Sequence, residues 1–296
     1  MKQILFGIGL SICFATTQSI SIGSNTPKMI EDGRVSIDGE NEFRFHANVR
    51  PLGSVYTTAR RGKPIYQTMI APTTLGVLPH RWLPDQSFKT ADVLETFFDL
   101  TRDRVYFVSN KGSANPDNYD IWMAKFDGQT TSDPKRLPSP INSTAGEWYP
   151  SVGKDYIMFG SEREKGFGGL DIYMADYDGT AATNVRLMPK PINSVYEDFD
   201  PILANDGSFL IFSSNRPSKY AGSRLFMIFR RPNNTWSRLV NLGKELAPYI
   251  SGSAATLSKD ESVLYFTAGS DGRKAGDIYS IGFQPILERL KAESKE

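Results

Sequence analysis

The chain is built from short, uninterrupted apolar runs separated by polar, glycine-rich gaps, and both recur at a nearly fixed interval. VYFVSN (105 to 110), IMFGSE (157 to 162), LIFSSN (210 to 215) and LYFTAG (264 to 269) each place large apolar residues ahead of small or polar ones. VYTTAR (55 to 60) is a weaker early version. Runs this short, bounded by turn residues, predict apolar, β-rich strands. A second marker follows each run: Asp120-Ile121-Trp122, Asp171-Ile172-Tyr173 and Asp277-Ile278-Tyr279, with Arg224-Leu225-Phe226 and Pro64-Ile65-Tyr66 as degenerate copies. Their central residues, 65, 121, 172, 225 and 278, stand 56, 51, 53 and 53 positions apart.

Each unit has the same grammar. A short strand ends near Pro150, Pro201 or Ala255, and a tight turn such as Asn205-Asp206-Gly207 follows. Next come the apolar strand, a polar loop, the Asp-Ile-Tyr strand, a turn at Asp127-Gly128 or Asp178-Gly179, and a short outer strand. Asp-Gly between apolar runs marks a hairpin. Four antiparallel strands repeated every fifty-odd residues make the blade of a β-propeller. The fold class is therefore all-β: four-stranded antiparallel blades, five by the anchors, with a divergent sixth as the alternative. The last anchor leaves little chain for a fourth strand, so a segment around Gly33 to Ile37 is expected to close that blade and remove an open edge. The domain then spans 20–284, and 285–296 (PILERLKAESKE) forms a short charged helix or a frayed tail.

Composition narrows the partners. A net charge of +1 provides no field to gather nucleic acid. Lys2 followed by an apolar stretch from Ile4 to Ala15 is too short to span a bilayer and suits a secretory signal over 1–19. The sole cysteine, Cys13, lies inside it; Ile12 stands where a lipid-attachment signal needs a small residue, so no lipid anchor is expected. No other stretch is long and apolar enough for a membrane span. The chain is expected to be exported to the periplasm or cell envelope, and its stability to come from packing without disulfides.

PINSVYEDFDPILANDGSFLIFSSNRP (191 to 217), NTWSRLVNLGKEL (234 to 246), SKDESVLYFTAG (258 to 269) and GDIYSIGF (276 to 283) together resemble the TolB-like propeller repeat and, more loosely, WD-type repeats. That repeat reads roughly Pro-x-x-Ser-x-Asp-Gly-x-x-Leu-x-Phe-Ser-Ser-Asn-Arg, then Asp-Ile-Tyr. The resemblance covers about 91 to 283 and is closest at Asp206-Gly207, Ser213-Ser214-Asn215-Arg216 and Asp277-Ile278-Tyr279. Arg224-Leu225 and Ala254-Ala255 depart from it. It implies an exported scaffold of the bacterial cell envelope, binding an envelope protein or a glycan such as peptidoglycan. The C-terminal twelve residues are too few for the peptidoglycan-binding domain that many such proteins carry.

Candidate chemistry concentrates ahead of the apolar runs. Asp206, like Asp103, Asp155 and Asp260, sits where a turn needs a side chain to bond local backbone, so it is assigned to structure. Asp198 and Asp200 flank Phe199, and strand alternation places both on one side. With Glu95 and Glu147 they are expected to ring one mouth of the central channel, with Trp148, Tyr149, Tyr196 and Phe199 offering stacking area. Three uses compete for these acids: bonding turn amides or neighbouring cations, recognising a polar ligand, or cleaving a glycoside with two carboxylates. Nucleophilic catalysis has little support, with two isolated histidines, His46 and His80, and no G-x-S-x-G elbow. No cofactor motif and no metal-ligand spacing occurs. The expectation is a non-catalytic binding scaffold presenting Glu95, Glu147, Trp148, Tyr149, Asp198 and Asp200 at the channel mouth, with a paired-carboxylate glycoside hydrolase as the alternative.

Overall fold

The computed structural model describes residues 28–29, 43–44, 55–60, 63–73, 76–81, 85–99, 101–127, 130–217, 224–246, 250–258, 260–269 and 277–294. They form five four-stranded antiparallel sheets, the blades of a β-propeller. After β1 (Lys28–Met29), blade 1 holds β2 (Phe43–Arg44), β3 (Val55–Arg60), β4 (Lys63–Thr73) and β5 (Gly76–Arg81). Blade 2 holds β6 (Leu94–Asp99), β7 (Arg104–Ser109), β8 (Asp120–Phe126) and β9 (Thr131–Arg136). Blade 3 runs through β10 (Glu147–Val152), β11 (Tyr156–Ser161), β12 (Asp171–Tyr177) and β13 (Ala182–Leu187). Blade 4 holds β14 (Asp198–Leu203), β15 (Phe209–Ser214), β16 (Leu225–Phe229) and β17 (Val240–Asn241). Blade 5 combines β18 (Ile250–Leu257), β19 (Val263–Gly269) and β20 (Asp277–Gly282) with β1.

The apolar runs are the second strands of their blades, and both of their faces are covered. In β11, Ile157 and Phe159 pack with Tyr106 and Ile121 of blade 2, while Met158 packs with Leu203 and Leu210 of blade 4. In β15, Leu210 and Phe212 join that same cluster, whereas Phe209 and Ile211 face Leu264 and Phe266 of blade 5. Alternate side chains thus serve alternate neighbours, which is why no polar residue interrupts the run. Truncating one such ring, for example Phe159→Ala, removes on the order of 3–5 kcal/mol. The outer strands β9 and β13 have no fully buried residue, β9 being largely exposed and β13 mostly half-buried.

Blade 5 is closed by pairing Lys28 with Ser280 and Met29 with Tyr279. Residues 33–37, expected for that role, lie outside the described residues, as do the signal segment and Cys13. The C-terminal segment is a helix, α1 (Gln284–Glu293), entered through Pro285. Its Ile286 and Leu290 are buried in the cluster between blades 4 and 5, and Arg289 pairs with Glu245.

Candidate active site at the channel mouth

The linkers between blades determine what the first strands can present. Asn142, in the linker before blade 3, receives the Ile121 amide at 2.8 Å and donates to the carbonyls of Ile121 (2.8 Å) and Leu137 (2.7 Å). Asn193, before blade 4, does the same for Ile172 and Met188 at 2.8–2.9 Å. The next residue addresses the following blade. Ser143 donates its amide and hydroxyl to Glu147 at 2.8 and 2.6 Å, and Ser194 donates both to Asp198 at 2.7 and 2.8 Å. Pro-Ile-Asn-Ser is thus a staple, its asparagine bonded backwards and its serine forwards.

An arginine completes each staple. Arg163 donates to Glu147 at 3.2 Å and to the Pro140 carbonyl at 3.2 Å, and lies 4.9 Å over the Tyr173 ring. Arg216 pairs with Asp198, reaches the Pro191 and Ile192 carbonyls at 2.9 and 2.7 Å, and lies 5.1 Å over Phe226. Glu147 and Asp198 have no exposed surface. Two of the four acids expected at the channel mouth are therefore engaged between blades.

A β-bulge separates these acids from their neighbours. Pairing shifts between Leu94 and Phe97, between Trp148 and Ser151, and between Phe199 and Ile202. Glu95, Tyr149 and Asp200 occupy the same place in these three bulges and take left-handed backbone, with φ of 48°, 52° and 53°. Glycine would adopt that conformation without strain, so a functional demand is the natural reading of side chains kept there. The extra residue breaks the two-residue alternation, so Asp200 no longer shares the side of Asp198. Pro150 and Pro201, unable to donate a ladder hydrogen bond, immediately follow the bulged residue, as Thr96 does in blade 2.

The three bulge residues converge on a small, solvent-open pocket where the first strands meet, lined also by Phe97, Ser151, Ile202 and Thr256. Glu95 is 7% exposed. Burial pushes its carboxyl from an ordinary 4.5 up to about 8. Burial also pushes the Tyr149 phenol well up, and the charges of Glu95, Asp200, Glu197 and Glu162 add to the shift. Rings of half-buried residues extend from the pocket: Trp148 lies 6.2 Å from Tyr149 and 4.3 Å from Tyr119. Phe199 stands 5.4 Å from Tyr149 on the other side. Asp92 accepts from the Tyr119 hydroxyl at 2.6 Å, fixing the far ring. Tyr196, expected among these aromatics, is 42% exposed in the linker before blade 4.

The structure thus brings Glu95, Tyr149 and Asp200 into one pocket, places Trp148 beside it, and holds Glu147 and Asp198 in staples. Sequence reasoning missed Ser151 and Thr256, which look like ordinary strand residues. Asp206 bonds the Ser208 amide at 2.8 Å in its turn. Among the described residues, no group of three or more His, Cys, Asp and Glu is placed to hold a metal ion, and no helix is long and apolar enough to cross a membrane.

No family model matches the chain, and no curated protein matches it. Solved structures with a similar fold include a puromycin hydrolase (13% identity, TM-score 0.47), matched over 85% of this chain and 47% of its own. An α-L-arabinofuranosidase from Fusarium graminearum matches at 10% identity and TM-score 0.49, over 84% of this chain and 80% of its own. Another, from Lactobacillus brevis, matches at 14% identity and TM-score 0.43, over 80% and 92%. The chain spans less than half the length of the puromycin hydrolases it matches. At such identities the likeness is one of fold. The expectation of a non-catalytic protein is corrected at the channel mouth itself, where burial raises the Glu95 carboxyl to about 8 beside a second acid.

Proposed function

We propose that the chain is a glycoside hydrolase whose acid pair is Glu95 and Asp200. One observation carries this reading: a buried carboxyl that keeps its proton up to about pH 8 shares a pocket with a second carboxyl-bearing residue, both displayed by strained backbone. Glycoside cleavage uses that combination. Glu95 gives its proton to the glycosidic oxygen as the C–O bond breaks. Asp200 faces the positive charge that develops on the anomeric carbon and takes a proton from the attacking water. Water is added across the bond; Asp200 then releases its proton to solvent and Glu95 takes one back, which restores the site. Tyr149, Trp148 and Tyr119 supply ring faces on which a sugar can stack.

The N-terminal apolar segment supports a site of action outside the cytoplasm, where envelope glycans are the accessible substrates, and the TolB-like character of the repeat fits that setting. The test is a panel of neutral oligosaccharides and aryl glycosides, read by reducing-end release for the wild type, Glu95→Gln and Asp200→Asn. Cleavage by the wild type with at least hundredfold loss in both variants is expected. Cleavage of none of them, or full activity in Glu95→Gln, would overturn the reading.

A further inference from the structure

Ser151 follows the bulge in β10, at a depth where blade 2 has Phe97, blade 4 has Ile202 and blade 5 has Thr256, all buried. The position thus takes a hydrophobe in blades 2 and 4 and a hydroxyl residue in blades 3 and 5, and all four line one pocket. Ser151 is only 4% exposed, lines the pocket beside Glu95, Tyr149 and Asp200, and its hydroxyl has no hydrogen-bond partner among the described residues. The three serines that act in the staples, Ser143, Ser161 and Ser194, are all bonded to protein groups. A buried hydroxyl left without a partner costs stability, so one retained at a pocket wall is held for something that enters the pocket.

Building on the hydrolase reading, we propose that the Ser151 hydroxyl seats the water that attacks the anomeric carbon. A water needs two to four polar partners to be held in place. Ser151 supplies one, and Asp200, Glu95 and Thr256 line the same pocket. Asp200 removes a proton from this water as its oxygen bonds to carbon, while Ser151 fixes the oxygen and exchanges no proton of its own. Ser151 is thus a positioning residue.

The test pairs kinetics with crystallography. Ser151→Ala should lower kcat on the order of a hundredfold with KM little changed, because a misplaced nucleophile costs rate and leaves substrate binding intact. Ser151→Thr, which keeps the hydroxyl, should recover most of that loss. The melting temperature of Ser151→Ala should hold or rise, which separates positioning from a fold defect. A crystal structure of the wild type should show a water on Ser151 Oγ that Ser151→Ala lacks. An unchanged kcat, a loss confined to KM, or a wild-type crystal without that water would overturn the proposal. A wild type that cleaves no glycoside while the water is present would instead sink the hydrolase reading and leave the seat standing.

Discussion

Asp198 and Asp200 are two residues apart and lead opposite lives. Asp198 has no exposed surface and is bonded to Ser194 and Arg216, which tie the linker from blade 3 to the first strand of blade 4. Asp200 is half-buried in left-handed backbone and lines the channel pocket. Blade 3 repeats the contrast with Glu147 in the staple and Tyr149 in the pocket. In blade 2, Val93 precedes Leu94 where the staple acid would stand, and Glu95 takes the pocket position. A bulge, rather than residue type, sorts acids that hold blades together from acids that face the channel. The two sets should fail differently when changed.

The largest contrast is in turnover. Glu95→Gln should reduce glycoside cleavage about a thousandfold, near 4 kcal/mol in the barrier, without unfolding the protein. Circular dichroism and the kinetic assay on one preparation check this. The same substitution tests the proton on Glu95. Between pH 4.5 and about 8 the unfolded chain has released a proton that folded Glu95 still holds, so stability falls as pH rises through that window. That loss is on the order of 5 kcal/mol, and Glu95→Gln should flatten it in urea titrations across pH. If Glu95 is the acid, turnover also falls as pH climbs past about 8.

The staple should show the reverse signature. Glu147→Ala leaves the partly buried Arg163 without its carboxylate and should cost roughly 2 kcal/mol in urea unfolding, with kcat per folded molecule nearly unchanged. A stable Glu147→Ala with abolished turnover would erase the distinction. Asp200→Gly sharpens it at the smallest scale. Releasing left-handed strain should leave stability equal or higher by about 1 kcal/mol while turnover is lost.

The repeat made most of this architecture legible in the sequence. Apolar runs, turn aspartates and the Asp-Ile-Tyr strands are local signals, and they yielded the all-β class and blade spacing directly. The ring of four acids was only partly legible, because alternation was extended through Asp198, Phe199 and Asp200 as if the strand were regular. Pro201 and Pro150 carried the hint of a bulge, since neither can donate to a ladder. Ser151 was illegible for a different reason: its meaning comes from an unpartnered hydroxyl in a pocket shared with Phe97, Ile202 and Thr256 of other blades, which requires the assembled ring. The depth of Glu95 is likewise a property of the assembled ring.

The pairing of β1 with β20 also has a consequence for how the protein comes into being. The strand that completes the last blade is made before blades 2 to 4, and its partners Tyr279 and Ser280 after them. Until synthesis reaches those partners, the ring has an open seam and the earlier strand has nowhere to dock. Blades 2 to 4 can assemble neighbour by neighbour as they emerge. The finished circle, and with it a channel mouth of fixed shape, comes into existence only when β20 has been made and β1 has docked on it.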